Sequence, residues 1–404
     1  MTKNITEFEI LTDIAVPDLE TLWRDLEARS AGDFFLSWDW IGCWIAATGI
    51  PLRILIGRKA GRVVVLGLVA ASQRRGRIPF AIPRAFLHST GNPDQDVITI
   101  EYNGFLVARD GGFLVAHDGP SPDMGQARAQ AEDAAIRFLL RGQPGPGPRI
   151  DELHLRNVTR SYTQDNRTAS ASGAATATSR DGGLHRELVW SKPSWRVDLD
   201  AIRASGRTYI DSLSANTRQQ IRRSMRLYEQ QGKLVATRAR DVPQALAFLD
   251  GLKSLHQPYW IGRGEPGAFA FPFFERFQRR LIETCHPHGG VELVRVSLGD
   301  TVIGYLYNLV YRRQVYSYQS GFLFEADSKL KPGLVSHCLC IEMHEREGAG
   351  VYDFMAGDNR YKASLGTPGP DMHYVVLRRP TLPIRLENGL RSVRGVLRSL
   401  MRSP

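Results

Sequence analysis

Twice in this chain a long helical run and a glycine lead back to a strand beside an earlier one. The first instance is GQARAQAEDAAIRFLLRG (125–142) followed by DELHLRNV (151–158). The second runs from QVYSYQSGF (314–322) through the loop LFEADSKLKPG and the helix LVSHCLCIEMHEREG (334–348) to VYDFMAG (351–357). A helix between two paired strands implies a parallel pair, a right-handed crossover, and a helix N-terminus beside the C-terminal end of the first strand. The expected class is therefore α/β with mixed sheets, in two halves that share element order. No repeat is visible in the residues themselves, so the likeness rests on order alone.

The remaining elements fit this frame. FEILTD reads as an edge strand, PDLETLWRDLEAR (17–29) as a helix, and FFLSWDWIGCWIAATG (34–49) as a second helix with Ser37 as N-cap and Gly49 at its end. Strands PLRILIGRK and VVVLGLVAA follow, then an Arg/Pro/Gly-rich run (73–95) and a strand within DVITIEYNGFLVA. Residues 163–183, TQDNRTASASGAATATSRDGG, are too low in complexity to build a core and read as a linker. After it come a strand in SWRVDLD, helix 212–232 with Ser214 and Gly232 as caps, two more helices, and the strands GVELVRVSL and TVIGYLYNLVY. The expected domains are 1–162, a linker 163–184, 185–380, and a basic amphipathic helix 381–404.

The chain has 404 residues and a formal net charge of +10, which favours an acidic partner without choosing one. Four cysteines without a CxxC read as reduced thiols, and the mixed polar N-terminus lacks a signal-peptide core. The apolar runs are too short to span a bilayer. The expected location is cytoplasmic.

VYDFMAGDNRYKASLG (351–366) is the first candidate site. It places Asp353 inside an apolar strand and crowds Asp358, Asn359, Arg360, Tyr361 and Lys362 at the strand exit. Ligands of α/β proteins bind at such strand ends. Upstream, Lys329 and Lys331 precede Pro332 and Gly333 at a helix start, where free N–H groups and the dipole favour a phosphate.

These stretches, with FFLSWDWIGCW, SLSANTRQQIRRSMRLYE, LHQPYWIGRGEPGAFA and GYLYNLVYRRQVYSYQSGF, resemble the GNAT (Gcn5-related) N-acetyltransferase superfamily. The bacterial cellulose-biosynthesis-type branch, with two acyl-CoA N-acyltransferase folds in tandem, is the nearest likeness; Fem-type peptidyltransferases are distantly similar. The resemblance spans residues 34–366. It implies an acyl-CoA donor, acetyl-CoA in the simplest case, between strands 314–320 and 351–356. Pantetheine would lie along Gln319, Ser320 and Gly321, and pyrophosphate on Lys329, Lys331, Pro332, Gly333 and Leu334. The superfamily loop is Gln/Arg-x-x-Gly-x-Gly/Ala, whereas this one has the single Gly333. That departure leaves room for another donor such as an aminoacyl-tRNA.

Acyl transfer to an amine needs a base, oxyanion donors and an aligned acceptor, and no metal or covalent enzyme nucleophile. Asp353 has two readings: a half-buried base, or a structural acid capping a loop or pairing with Arg360 or Lys362. Lys362 would hold an anion or polarise the carbonyl. His256 and Trp260, four apart, share a helix face, and His256 is a second base or a helix-end histidine bonded to the next loop. Trp260, Arg263, Asp358 and Tyr361 are candidate contacts to a small-molecule or glycan acceptor, with Tyr361 equally a packing residue. No metal-ligand spacing stands out.

Two basic helices remain. Arg218 and Arg222 belong to RQQIRRSMR, either a solvated face or a groove for a polyanion. In the tail 378–404, Leu386, Leu390, Val393, Leu397 and Leu400 form one stripe beside Arg391, Arg394, Arg398 and Arg402. This pattern fits a helix on anionic lipid, or one docked on its own domain. The functional expectation is acyl transfer from acyl-CoA to an amine or hydroxyl by the second half, in envelope or exopolysaccharide biosynthesis. The alternatives are Fem-type transfer from aminoacyl-tRNA, and a non-catalytic scaffold.

Overall fold

A computed structural model describes residues 7–387, apart from 13, 52, 76–80, 110–121, 142–148, 163–177 and 182. The chain divides into two compact units, residues 1–191 with 372–404, and residues 192–371.

In the first unit, β1 (Glu7–Leu11), β2 (Ile54–Lys59), β3 (Arg62–Arg75) and β4 (Ala81–Leu87) form an antiparallel meander, and β5 (Leu106–Val107) pairs with β3. β6 (Glu152–Val158) then lies parallel to β4, Ala85 opposite Leu153. The connecting helix is α3 (Pro122–Arg141), after α1 (Val16–Ala28) and α2 (Trp38–Thr48). β7 (Thr178–Asp181) and β8 (Leu184–Lys192) form a hairpin. β16 (Met372–Arg378) fills the place between β6 and β8, giving the order β1-β2-β3-β4-β6-β16-β8-β7. The core holds Trp23, Phe34, Phe35, Trp40 and Phe105, and Trp23 Nε1 donates to Leu36 O at 2.8 Å. Ser37 caps α2 by accepting from Trp40 N, and Gly49 closes it in the left-handed region.

Three expectations are corrected here. The run 73–95 contains β4, whose Pro83 lacks a ladder donor but accepts from Asp151 N. The region expected as strand around 96–108 keeps only β5. Residues 372–380 belong with the first unit, because β16 pairs with β6, so the second unit ends at Asp371 and not at 380.

The second unit repeats the pattern. β10 (Leu234–Arg238), β11 (Val291–Leu298), β12 (Thr301–Tyr311) and β13 (Gln314–Phe322) run antiparallel. β14 (Val351–Ala356) joins β13 in parallel, β9 (Ser194–Asp198) covers β14, and β15 (Thr367–Pro368) covers β9. The helices are α4 (Leu199–Ser205), α5 (Tyr209–Ser212), α6 (Ala215–Glu229), α7 (Val242–Ile261), α8 (Pro272–Cys285), α9 (Pro332–Arg346) and α10 (Arg360–Leu365). Ser214 caps α6 as expected; the helix ends at Glu229, before Gly232. One core cluster unites Tyr209, Ile221, Tyr228, Val315, Val335, Cys338, Tyr352 and Phe354.

None of the four cysteines is in a disulfide, and all are buried. Among the described residues no helix is long and apolar enough to cross a membrane. Within the expected tail helix, Ile384 is buried with Ile82 and Leu386 is exposed; its residues 388–404 lie outside the described residues.

Candidate active site

The parallel pairing of β13 and β14 lasts three residues: Gln314 with Val351, Val315 with Tyr352, Tyr316 with Asp353. Beyond that the strands part, because each follows its other neighbour. β13 stays on β12 through a bulge after Tyr307, and β14 stays on β9 through a bulge after Asp353. A bulge adds twist and bends its strand, so two of them beside one seam open a wedge. Asp353 stabilises the second bulge. Its Oδ1 accepts from Met355 N at 2.6 Å, and Met355 sits at φ +58°. This is the loop-capping role among its two expected readings. Asp353 is buried, on the opposite face of the strand from Tyr352 and Phe354.

The loop before α9 closes one end of the wedge. Leu330 N donates to Asp327 O, Lys329 N to Asp327 Oδ1, and Lys331 N to Ser224 Oγ at 2.8 Å. Pro332 begins the helix and Val335 N takes Lys331 O. The first turn therefore presents the N–H groups of Gly333 and Leu334, with Lys329 exposed and Lys331 half-buried. This fits one anion. A Cβ on Gly333 would sit 3.2 Å from the Phe322 ring. Gly321 has a different reason: a Cβ there would lie 2.4 Å from Leu252 O, so α7 packs directly on its backbone. Gln319 Oε1 accepts from Ser320 N at 3.0 Å.

Inside the wedge sits a group that the sequence did not single out. His337, on the second turn of α9, is fully enclosed by Phe322, Tyr352, Phe354 and Tyr361. Its Nδ1 lies 3.3 Å from the Tyr352 hydroxyl, while Nε2 has no hydrogen-bond partner among the described residues. Burial, with the Lys362 charge nearby, pushes its pKa down to about 3, so the ring is neutral. The only signal for it in the sequence is a histidine inside an apolar helix, which usually marks a core position.

Lys362 reaches back to donate to Ala356 O at 2.7 Å. Tyr361 is pushed up to about 12 by burial and by the nearby Tyr259. That electrostatic link places the end of α7 next to α10. Tyr259 stacks on Phe324 at 4.7 Å, and both rings are exposed. Arg263 lies over Tyr259, 5.4 Å from its centroid. Trp260 packs 5.9 Å from His256. His256 itself is buried, bonded to Gln257 at 3.1 Å, and burial lowers its pKa. Its partner is its own helix neighbour, and it is Gln257 that reaches the next loop, donating Nε2 to Pro266 O at 3.1 Å. Asp358 is exposed at the wedge exit. Arg218 donates to Asp211 O, and Arg222 pairs with the Asp211 carboxylate at 2.8 Å. Both are thus tied to α5 and stand apart from the wedge residues.

The splayed pair and the helix start at its mouth lie within a stretch that matches a known family. Residues 215–363 match the acetyltransferase (GNAT) domain. The matched residues cover β13, the α9 loop, β14 and the first part of α10, all in the second unit. The fold of the whole chain is similar to that of FemX, with a TM-score of 0.50 at 10% identity, covering 90% of this chain and 96% of that one. L-PGS from Bacillus licheniformis scores 0.45 at 11% identity, covering 92% and 94%. A tandem GNAT protein from the clavulanic acid biosynthesis pathway scores 0.40 at 14% identity, covering 92% and 98%. No curated protein matches the sequence.

Proposed function

We propose that the second unit transfers an acyl group, acetyl in the simplest case, from acyl-CoA to an amine or hydroxyl on a small molecule or glycan. The observation that carries this is the wedge between β13 and β14 with the first turn of α9 at its mouth. The pyrophosphate would take the N–H groups of Gly333 and Leu334 with Lys329 and Lys331. The pantetheine arm would run along Gln319 to Gly321. The acceptor attacks the thioester carbonyl; the new C–N or C–O bond forms, the C–S bond breaks, and the thiolate leaves with a proton. Asp353 on β14 and the unpartnered Nε2 of His337 on α9 are the two candidate proton acceptors. Lys362 and Tyr361 are the groups at its exit that would meet the acceptor, with Trp260, Arg263 and Asp358 farther out.

Calorimetric titration with acetyl-CoA tests this, with a Lys331→Glu, Gly333→Glu double variant alongside. Micromolar binding lost in the variant is the expected result. No binding of acetyl-CoA or longer acyl-CoAs would overturn it. A second reading, an aminoacyl-tRNA donor, draws on the helix start: among the described residues it offers the N–H groups of Gly333 and Leu334, since Lys331 N is already used by Ser224. Binding of tRNA that weakens steeply with salt, without acyl-CoA binding, would favour it.

A further inference from the structure

Behind the wedge, on the far part of the buried face of α9, lies a second polar cluster that acyl transfer does not use. Cys340 and His344 are four apart on that helix, one above the other, and both are buried. Glu292 on β11 faces them. One ligand atom from each of the three lies within 4.8 Å of the others. His344 Nε2 is 2.9 Å from Glu292 Oε1. From β12, Asn308 donates Nδ2 to Cys340 Sγ and to Glu292 Oε1, each at 3.3 Å. Asn308 is fully buried, yet its Oδ1 has no partner among the described residues. An orphaned amide oxygen beside a thiol, an imidazole and a carboxylate calls for an explanation.

We propose that Glu292, Cys340 and His344 form a binding site for a single zinc-type divalent cation, with Asn308 Oδ1 as a fourth ligand. A tetrahedral ion with bonds of about 2.0–2.3 Å keeps its ligands roughly 3.5 Å apart, so the 2.9 Å contact between His344 Nε2 and Glu292 Oε1 opens slightly to admit it. Turning the Asn308 amide brings Oδ1 inward and gives the orphaned oxygen a partner. Binding releases the Cys340 thiol proton to solvent, and the His344 proton moves from Nε2 to Nδ1 as Nε2 takes the ion. Arg238 already pairs with Glu292 and, through both of its terminal nitrogens, with Glu347. It orients the ligating carboxylate from outside, as partners of metal ligands do. Its 3.3 Å contact with His344 Nδ1 yields when that nitrogen takes up a proton. The ion is structural: it pins α9 to β11 and β12 and is independent of the acyl donor.

The test is titration of the full-length, chelator-treated protein with cobalt(II) and then zinc alone, with no acyl donor present. One equivalent of cobalt is expected to give a thiolate-to-metal charge-transfer band that zinc removes. The band disappears in Cys340→Ser and persists in Cys338→Ser, the neighbouring buried thiol. Asn308→Leu weakens binding roughly 10–100-fold. His344→Gln loses high-affinity binding while its circular dichroism stays native, which separates ligation from folding. Absence of the band in the wild type, or its survival in Cys340→Ser, would overturn the proposal and leave the cluster a hydrogen-bond network.

Discussion

The imidazole of His337 lies almost flat on the phenol ring of Tyr361, with centroids 5.6 Å apart and planes 16° from parallel. The stack joins α9 to α10, which follows β14. It also seals the imidazole from water, which is why its pKa falls to about 3. The unfolded chain binds that proton near pH 6.5. The folded state thus binds fewer protons between pH 6.5 and 3. Stability from this residue is complete above 6.5 and is lost as pH falls through that window. At pH 5 the loss relative to pH 7 is about 2 kcal/mol. His337→Phe is expected to flatten this part of the pH–stability curve, measured by urea denaturation at pH 5 and 7. An unchanged slope would mean that the ring is not held neutral.

Ser224 is the second position where the site depends on a residue outside the wedge. Its buried hydroxyl accepts from Lys331 N at 2.8 Å and fixes the loop at the start of α9. Ser224→Ala leaves that N–H without its acceptor and is expected to cost about 1 kcal/mol. Acetyl-CoA affinity should fall as well, because the first turn of α9 loses its anchor. Two residues away, Arg222→Ala removes an ion pair with Asp211 that is open to solvent, and stability is expected to stay nearly unchanged. Thermal melts and titrations of the two variants should therefore separate clearly; equal effects would remove the anchoring role of Ser224.

Glycine-to-alanine changes should have opposite signs at two positions. At Gly321 the new methyl would meet the Leu252 carbonyl at 2.4 Å, and helix backbone does not yield cheaply. Gly321→Ala is expected to destabilise by about 1–3 kcal/mol and to shift α7 off β13. At Gly125, in the exposed first part of α3, a methyl meets nothing within 4 Å. There the same change is expected to stabilise by about 0.4–1 kcal/mol. Denaturation midpoints of the two variants decide it.

The β11–β13 meander, the two helix-linked parallel pairs and the α9 loop were legible because each is written locally. Alternation marks the strands, and Pro332 with Gly333 marks the helix start. What the sequence hid depends on contacts far apart in the chain. β4 was masked by its proline, and its strand character comes from pairing with β3 and β6. The placement of β16 beside β6 leaves no trace in either segment. Asp353 looked like a base because an acid in an apolar strand is unusual, yet its Oδ1 accepts from Met355 N, a contact visible only once the bulge exists. His337 escaped notice for the opposite reason: inside SHCLCIEMH it looks like core, and only the splay of two distant strands exposes its position. Cys340 and His344 share a helix face, but without Glu292 and Asn308 from other strands the pair says little.

Asp353 gives the sharpest test of the proposed chemistry, because its two roles respond differently to one substitution. The cap requires an oxygen that accepts from Met355 N, which Asn supplies. The base requires a carboxylate, which Asn does not. Asp353→Asn is therefore expected to preserve the melting temperature and acetyl-CoA affinity while lowering acyl transfer about 10²–10⁴-fold. Asp353→Ala loses the cap too and should destabilise by about 1–3 kcal/mol. Acyl transfer can be followed by thiol release from acetyl-CoA with a panel of amine and hydroxyl acceptors. Full activity in Asp353→Asn would reduce Asp353 to its structural role and pass the base to His337. His337→Phe should then abolish transfer while leaving donor binding intact.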